Sequence, residues 1–144
     1  MSSIRLLVVD DCEPWRRFLG TTFAKQPGLQ IIGEACDGLE AVQKAQDLEP
    51  DLILLDIGLP KLDGVEAAQR IQELVPRAKI LFLTQNSDVD LVATVLSNGA
   101  CGYLLKIDAG HELMAAIETI IRGERFVCKR LVNQSSESIR PSKA

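Results

Sequence analysis

The feature that most limits what this chain can fold into is a fivefold alternation of short apolar runs with segments of helical period. The runs are Ile4 to Val9, Leu29 to Ala35, Asp51 to Leu55, Lys79 to Leu83 and Gly102 to Leu105, each of strand length. Between them, apolar side chains recur at helical spacing. Trp15, Phe18, Leu19, Thr22 and Phe23 form the first stripe, and Ala41, Val42, Ala45 and Leu48 the second. Val65, Ala68, Ile71 and Val75 form the third, Val89, Val92 and Leu96 the fourth, and Leu113, Ile117 and Ile120 or Ile121 the fifth. Pro27-Gly28, Pro50, Pro76 and Gly99 fall where these helices must stop. Repeated strand-then-helix units imply an α/β fold, because each right-handed crossover lays its helix over a parallel sheet.

A chain of 144 residues is long enough to bury a core without disulfides or a structural metal, so one domain is expected over residues 1–124. After Gly123 the pattern fades through Phe126 to Val132 into Asn133-Gln134-Ser135-Ser136-Glu137-Ser138. Residues 125–144 therefore read as a polar C-terminal tail or linker. With 16 basic and 20 acidic residues the net charge is -4, which argues against binding of nucleic acid by this segment itself. Cys12, Cys36, Cys101 and Cys128 are widely separated and form no Cys-x-x-Cys pair, so most are expected to be small buried apolar residues. No apolar stretch is long enough to cross a bilayer, and a reducing cytoplasm is the expected setting.

Ligands of open parallel sheets bind beyond the carboxyl ends of the strands. The residues there are Asp10, Asp11, Asp56, Thr84 and Lys106. Carboxylates gathered at one sheet edge repel one another unless a cation lies among them. Mg2+ suits them, since it takes a few carboxylates and leaves room for water and phosphate oxygens. In phosphoryl transfer the protein mainly positions groups and neutralises charge, as the Lys106 ammonium and the Thr84 hydroxyl are suited to do. Asp56 is then the best-placed carboxylate nucleophile.

Val8-Val9-Asp10-Asp11, Leu54-Leu55-Asp56-Ile57-Gly58-Leu59-Pro60, Thr84 and Gly102-Tyr103-Leu104-Leu105-Lys106 occur in an order that resembles the response-regulator receiver family over roughly residues 4–122. The resemblance implies a flavodoxin-like, doubly wound sheet of five parallel strands in the order 2-1-3-4-5, with five helices. It implies that a sensor histidine kinase phosphorylates Asp56 with Mg2+ held by Asp10, Asp11, Asp56 and the Gly58 carbonyl. Thr84 and Lys106 are implied to contact the phosphoryl group, and Tyr103 to act with Thr84 as the switch. Gly102 to Lys106 and Ile120-Ile121-Arg122-Gly123-Glu124 look most like LuxR-type transcription regulators, which continue into a DNA-binding domain absent from this chain. A regulatory phosphoacceptor rather than an enzyme is expected, with a second copy of the chain as a candidate partner and no membrane association.

Two positions depart from the family pattern. Lys106 is followed by Ile107, where many receivers carry proline, so a cis bond there is not implied by residue type. Gln85 follows Thr84 where a small residue is common, and its length is expected to narrow the approach to Asp56 and slow small phosphodonors. A stand-alone receiver or docking module is an alternative reading. A haloacid dehalogenase-like phosphatase is a weaker one, because that chemistry expects Asp-x-Asp after the first strand and a cap domain. Asp63-Gly64 reads as a turn into the third helix, Trp15 as core, and His111 as a surface residue without a role.

Overall fold

The computed structural model describes residues 3–133. Its elements alternate as the sequence pattern requires: β1 (Ile4–Val9), α1 (Glu13–Ala24), β2 (Leu29–Ala35), α2 (Gly38–Leu48), β3 (Leu52–Leu55), α3 (Gly64–Leu74), β4 (Lys79–Thr84), α4 (Val89–Ser97), β5 (Gly102–Leu105) and α5 (Ala109–Ile121). A single 3-10 turn, Lys106–Asp108, joins β5 to α5. Two further elements follow, β6 (Phe126–Val127) and α6 (Lys129–Asn133). The sheet order is β2-β1-β3-β4-β5-β6. The expected flavodoxin-like order 2-1-3-4-5 is present, but it gains a sixth strand and a sixth helix.

The chain forms two compact units, divided inside β4 between Ile80 and Leu81. In the first, β1 is the middle strand and pairs in parallel with both β2 and β3. All four residues of β3 and the last four of β1 are buried, which is why both read as unbroken apolar runs rather than alternating ones. The β1–β2 register shifts between Leu6 and Leu7, which pair with Ile31 and Gly33 and leave Ile32 as a bulge. On α1 the buried face consists of Leu19 and Phe23. Phe18, expected in that stripe, is instead 45% exposed, and its ring lies 5.1 Å from that of half-buried Trp15.

In the second unit, β5 pairs in parallel with β4 and with β6. Gly99 takes the left-handed conformation (φ 105°) expected of the residue that ends α4. On α5, Ile120 is the buried member of the Ile120/Ile121 pair. Part of the expected polar tail is structured: β6 aligns Phe126 with Gly102 and Val127 with Tyr103, and Val127, Cys128 and Leu131 are buried. A two-residue strand followed by Lys129 and Arg130 carries too little periodicity to stand out in sequence, and its order comes from pairing with β5. The polar stretch after Asn133 lies outside the described residues.

Leu131 shows no exposed surface, so Leu131→Ala is expected to destabilise the fold by about 2 kcal/mol or more, read from urea unfolding. A change below about 0.5 kcal/mol, the range of ordinary surface substitutions, would mean that α6 contributes nothing to the core.

Candidate functional site

In the first unit, β1 runs directly into Asp10 and β3 into Asp56. Their parallel register pairs Val9 with Leu55, so the next residue of each strand emerges side by side. Backbone bonds fix both exits: the Asp56 amide donates to the Val9 carbonyl (3.1 Å) and the Asp10 amide to the Ala35 carbonyl (3.0 Å). As a result, carboxylate oxygens of Asp10, Asp11 and Asp56 all lie within 4.8 Å of one another. Asp10 and Asp56 are buried and Asp11 is exposed, so the cluster opens to solvent on one side. Asp10 Oδ1 accepts the Cys12 amide at 2.8 Å, and Asp56 Oδ1 accepts the Ile57 amide at 2.7 Å. These bonds fix the orientation of both carboxylates.

Two like charges about 4 Å apart repel by about 4 kcal/mol at the effective dielectric of a protein surface. A divalent cation removes that repulsion, and three hard oxygen donors open to water on one side match Mg2+. Gly58 lies exposed two residues beyond Asp56.

Two neighbours of the cluster escaped sequence reasoning. Arg16 Nη1 donates to the Asp10 carbonyl at 2.6 Å, while its Nε meets Glu34 Oε1 at 3.0 Å, bracing the turn that carries the acidic pair. Its position in a helical stretch next to Arg17 gives no hint of this. Gly64 also does more than form the expected turn. A Cβ there would lie 2.0 Å from the Asp56 carbonyl oxygen, and the Gly64 amide donates to the Ile57 carbonyl at 2.7 Å. Asp63 caps α3 through the Glu66 amide, which holds this junction in place.

The remaining predicted site residues belong to the second unit. Thr84 ends β4 opposite Leu105, and Lys106 opens the 3-10 turn after β5. Thr84 Oγ1 accepts the Asn86 amide at 3.3 Å, and the Asn86 carbonyl accepts the Tyr103 hydroxyl at 2.6 Å. The backbone of Asn86 therefore links the expected switch pair, a connection that only the fold reveals. Tyr103 is fully buried, its ring 6.1 Å from that of Phe82. Gln85 and Ile107 line a pocket of about 270 Å³ with Ser87, Leu105 and Arg130. Ile107 is 75% exposed, and no peptide bond among the described residues is cis.

A second acidic group, Cys36, Asp37 and Glu40, serves local structure at the start of α2. Asp37 accepts the Glu40 amide and Glu40 accepts the Cys36 amide, both at 2.8 Å. Glu40 also accepts the Cys36 thiol hydrogen, which raises the thiol pKa, while the Cys36 amide lowers that of Glu40. Cys36 and Cys12 are exposed and Cys101 is half-buried, so only Cys128 is the buried apolar cysteine that sequence reasoning expected of most. Burial pushes the Cys128 thiol pKa up. His111 is exposed, as expected.

Fold and carboxylates together define a parallel α/β protein with an acidic site beyond its central strands. The family profile described as "Response regulator receiver domain" matches residues 6–118. The transcriptional regulatory protein LiaR of Bacillus subtilis is 40% identical over 121 residues, which make up 84% of this chain and 57% of LiaR. The oxygen regulatory protein NreC of Staphylococcus aureus is 33% identical over 129 residues, 89% of this chain and 59% of its own. A crystal structure of a LuxR-family two-component response regulator from Aurantimonas sp. superposes with a TM-score of 0.87 at 30% identity, covering 92% of this chain and 94% of that one. This chain belongs to the response-regulator receiver family, and it spans about three fifths of the length of the curated relatives it matches.

Because a methyl group at position 64 would displace the Asp56 backbone, Gly64→Ala is expected to cost about 1–3 kcal/mol in urea unfolding. An unchanged midpoint would mean that this contact relaxes freely.

Proposed function

We propose that this chain is the phosphorylation-operated switch of a two-component signalling system, with Asp56 as phosphoacceptor. The observation that carries the reading is the cluster of three carboxylates around Asp56 at the ends of β1 and β3. Asp10, Asp11, Asp56 and the Gly58 carbonyl would hold Mg2+. When bound, the ion neutralises the carboxylates and the charge on the phosphoryl oxygens.

An Asp56 carboxylate oxygen attacks phosphorus of a phosphohistidine on the kinase. A P–O bond forms, the P–N bond breaks, and the imidazole leaves after taking a proton from water. The Lys106 ammonium and the Thr84 hydroxyl receive equatorial phosphoryl oxygens. When Thr84 turns to do so, its hydroxyl leaves the Asn86 amide. Because the Asn86 carbonyl holds the Tyr103 hydroxyl, this movement reaches β5.

Phosphorylation thus biases an existing equilibrium between two arrangements of the second unit. Nearly complete switching in both directions needs about 5.5 kcal/mol of differential stabilisation. The output proposed is transcription control through a DNA-binding domain joined after the tail, in the cytoplasm. No helix among the described residues is long and apolar enough to cross a membrane.

Intact mass after incubation with Mg2+ and acetyl phosphate tests the reading. One phosphoryl group is expected on the native chain, and none on Asp56→Asn or after chelation of Mg2+. An adduct that survives in Asp56→Asn would overturn the assignment, and steady turnover of phosphomonoesters would favour the phosphatase instead. Lys106→Ala is expected to slow the reaction by roughly 10²-fold or more, the usual loss when one charge-stabilising donor is removed. If Gln85 narrows the approach, Gln85→Ala gains phosphoryl faster than the native chain; an equal or slower rate removes that role.

A further inference from the structure

We propose that Gly38, at the start of α2, is a positioning residue for the phosphoacceptor site. It fixes the path of the loop 57–62, which leaves Asp56 and carries Gly58. The inference rests on the functional reading above and adds a residue from an element that contributes no ligand.

The contact is between backbones. A Cβ at position 38 would lie 1.8 Å from the Leu62 carbonyl oxygen and 2.6 Å from its carbonyl carbon. Neither atom belongs to a flexible side chain, so any residue other than glycine forces the loop backbone and the start of α2 apart. The Gly38 amide donates to the Pro60 carbonyl at 3.3 Å, and that carbonyl also accepts the Leu62 amide at 2.7 Å. Next to Gly38, the Asp37 carboxylate lies 3.6 Å from Lys61 Nζ while it caps α2 through the Glu40 amide. Lys61 itself takes the left-handed conformation (φ 68°), and its neighbour Leu62 is buried. The tip of the loop has little room to relax.

At its other end the loop is held by Gly64 against the Asp56 backbone, and by the Leu59 and Gly64 amides on the Ile57 carbonyl at 2.8 and 2.7 Å. Gly58 lies between these two fixed points. The three carboxylates follow β1 and β3 directly, whereas the Gly58 carbonyl is the ligand carried on the loop. A methyl group at position 38 therefore moves the loop-borne ligand and leaves the strand-borne ones in place. Binding and positioning are thermodynamically reciprocal, so Mg2+ in the site must in turn stabilise the Gly38 contact.

Calorimetric titration of Mg2+ into the native chain and Gly38→Ala, with Ala45→Gly in α2 as a destabilised control, tests this. Displacement of a supporting group typically costs 10- to 100-fold in metal affinity, so Gly38→Ala is expected to weaken Mg2+ binding roughly tenfold or more while Ala45→Gly does not. Equal affinities for Gly38→Ala and the control would overturn the inference. Hydrogen exchange on the native chain needs no variant: Mg2+ is expected to slow exchange of the Gly38 amide, and an unaltered rate would overturn the inference too. A native chain that binds no Mg2+ at all overturns the phosphoacceptor reading together with this one. Native binding without sensitivity to position 38 overturns this one alone.

Discussion

Three carboxylates with oxygens within 4.8 Å of one another form an arrangement that opposes itself electrostatically, and the pairing of β1 with β3 is what sustains it. Each backbone bond there contributes only about 1 kcal/mol net, but register is all-or-none: a slip by one residue would turn every side chain of the strand to the other face. Because both strands are buried on both faces, such a slip would undo every close-packed contact and draw Asp10 or Asp56 into the apolar sheet. The apolar core of the first unit thus holds charged groups at its rim, at a spacing whose repulsion a cation would relieve. Arg16 on the Asp10 carbonyl and Gly64 against the Asp56 backbone refine the same exits.

In the second unit the corresponding centre is β5. Tyr103 lies within it and Lys106 follows its last residue, the Asn86 backbone joins Tyr103 to Thr84, and β6 pairs along its other side. The Cys128 amide donates to the Tyr103 carbonyl at 3.1 Å, and Arg130 meets both carboxylate oxygens of Asp108 at 3.1 and 3.2 Å. Asp108 closes the 3-10 turn that Lys106 opens. The stretch from β6 into α6 is therefore bonded to the strand and turn that carry the proposed phosphoryl-sensing residues.

Much of this was legible in sequence for a physical reason. Strands buried on both faces become unbroken apolar runs, and in a parallel sheet the residues after them are the ones that meet ligands. That reasoning places Asp10, Asp11 and Asp56 together as the structure does. It fails where tertiary contact overrides pattern. Phe18 has the spacing of a core residue, yet it pairs with Trp15 near the surface. The short β6 has no period of its own and forms because β5 offers an unpaired edge. The need for glycine at positions 38 and 64 lies in the carbonyl groups of Leu62 and Asp56, which the fold brings against them and which helical or strand period does not encode.

The central claim is that Asp56, rather than its acidic neighbours, carries the phosphoryl group. The most direct measurement is borohydride reduction of the phosphorylated chain, which converts an aspartyl phosphate to homoserine, followed by peptide mass mapping. The account predicts homoserine at position 56 and unmodified Asp10 and Asp11. Homoserine at position 10 or 11, or a phosphoryl group on a side chain that borohydride does not reduce, would contradict it.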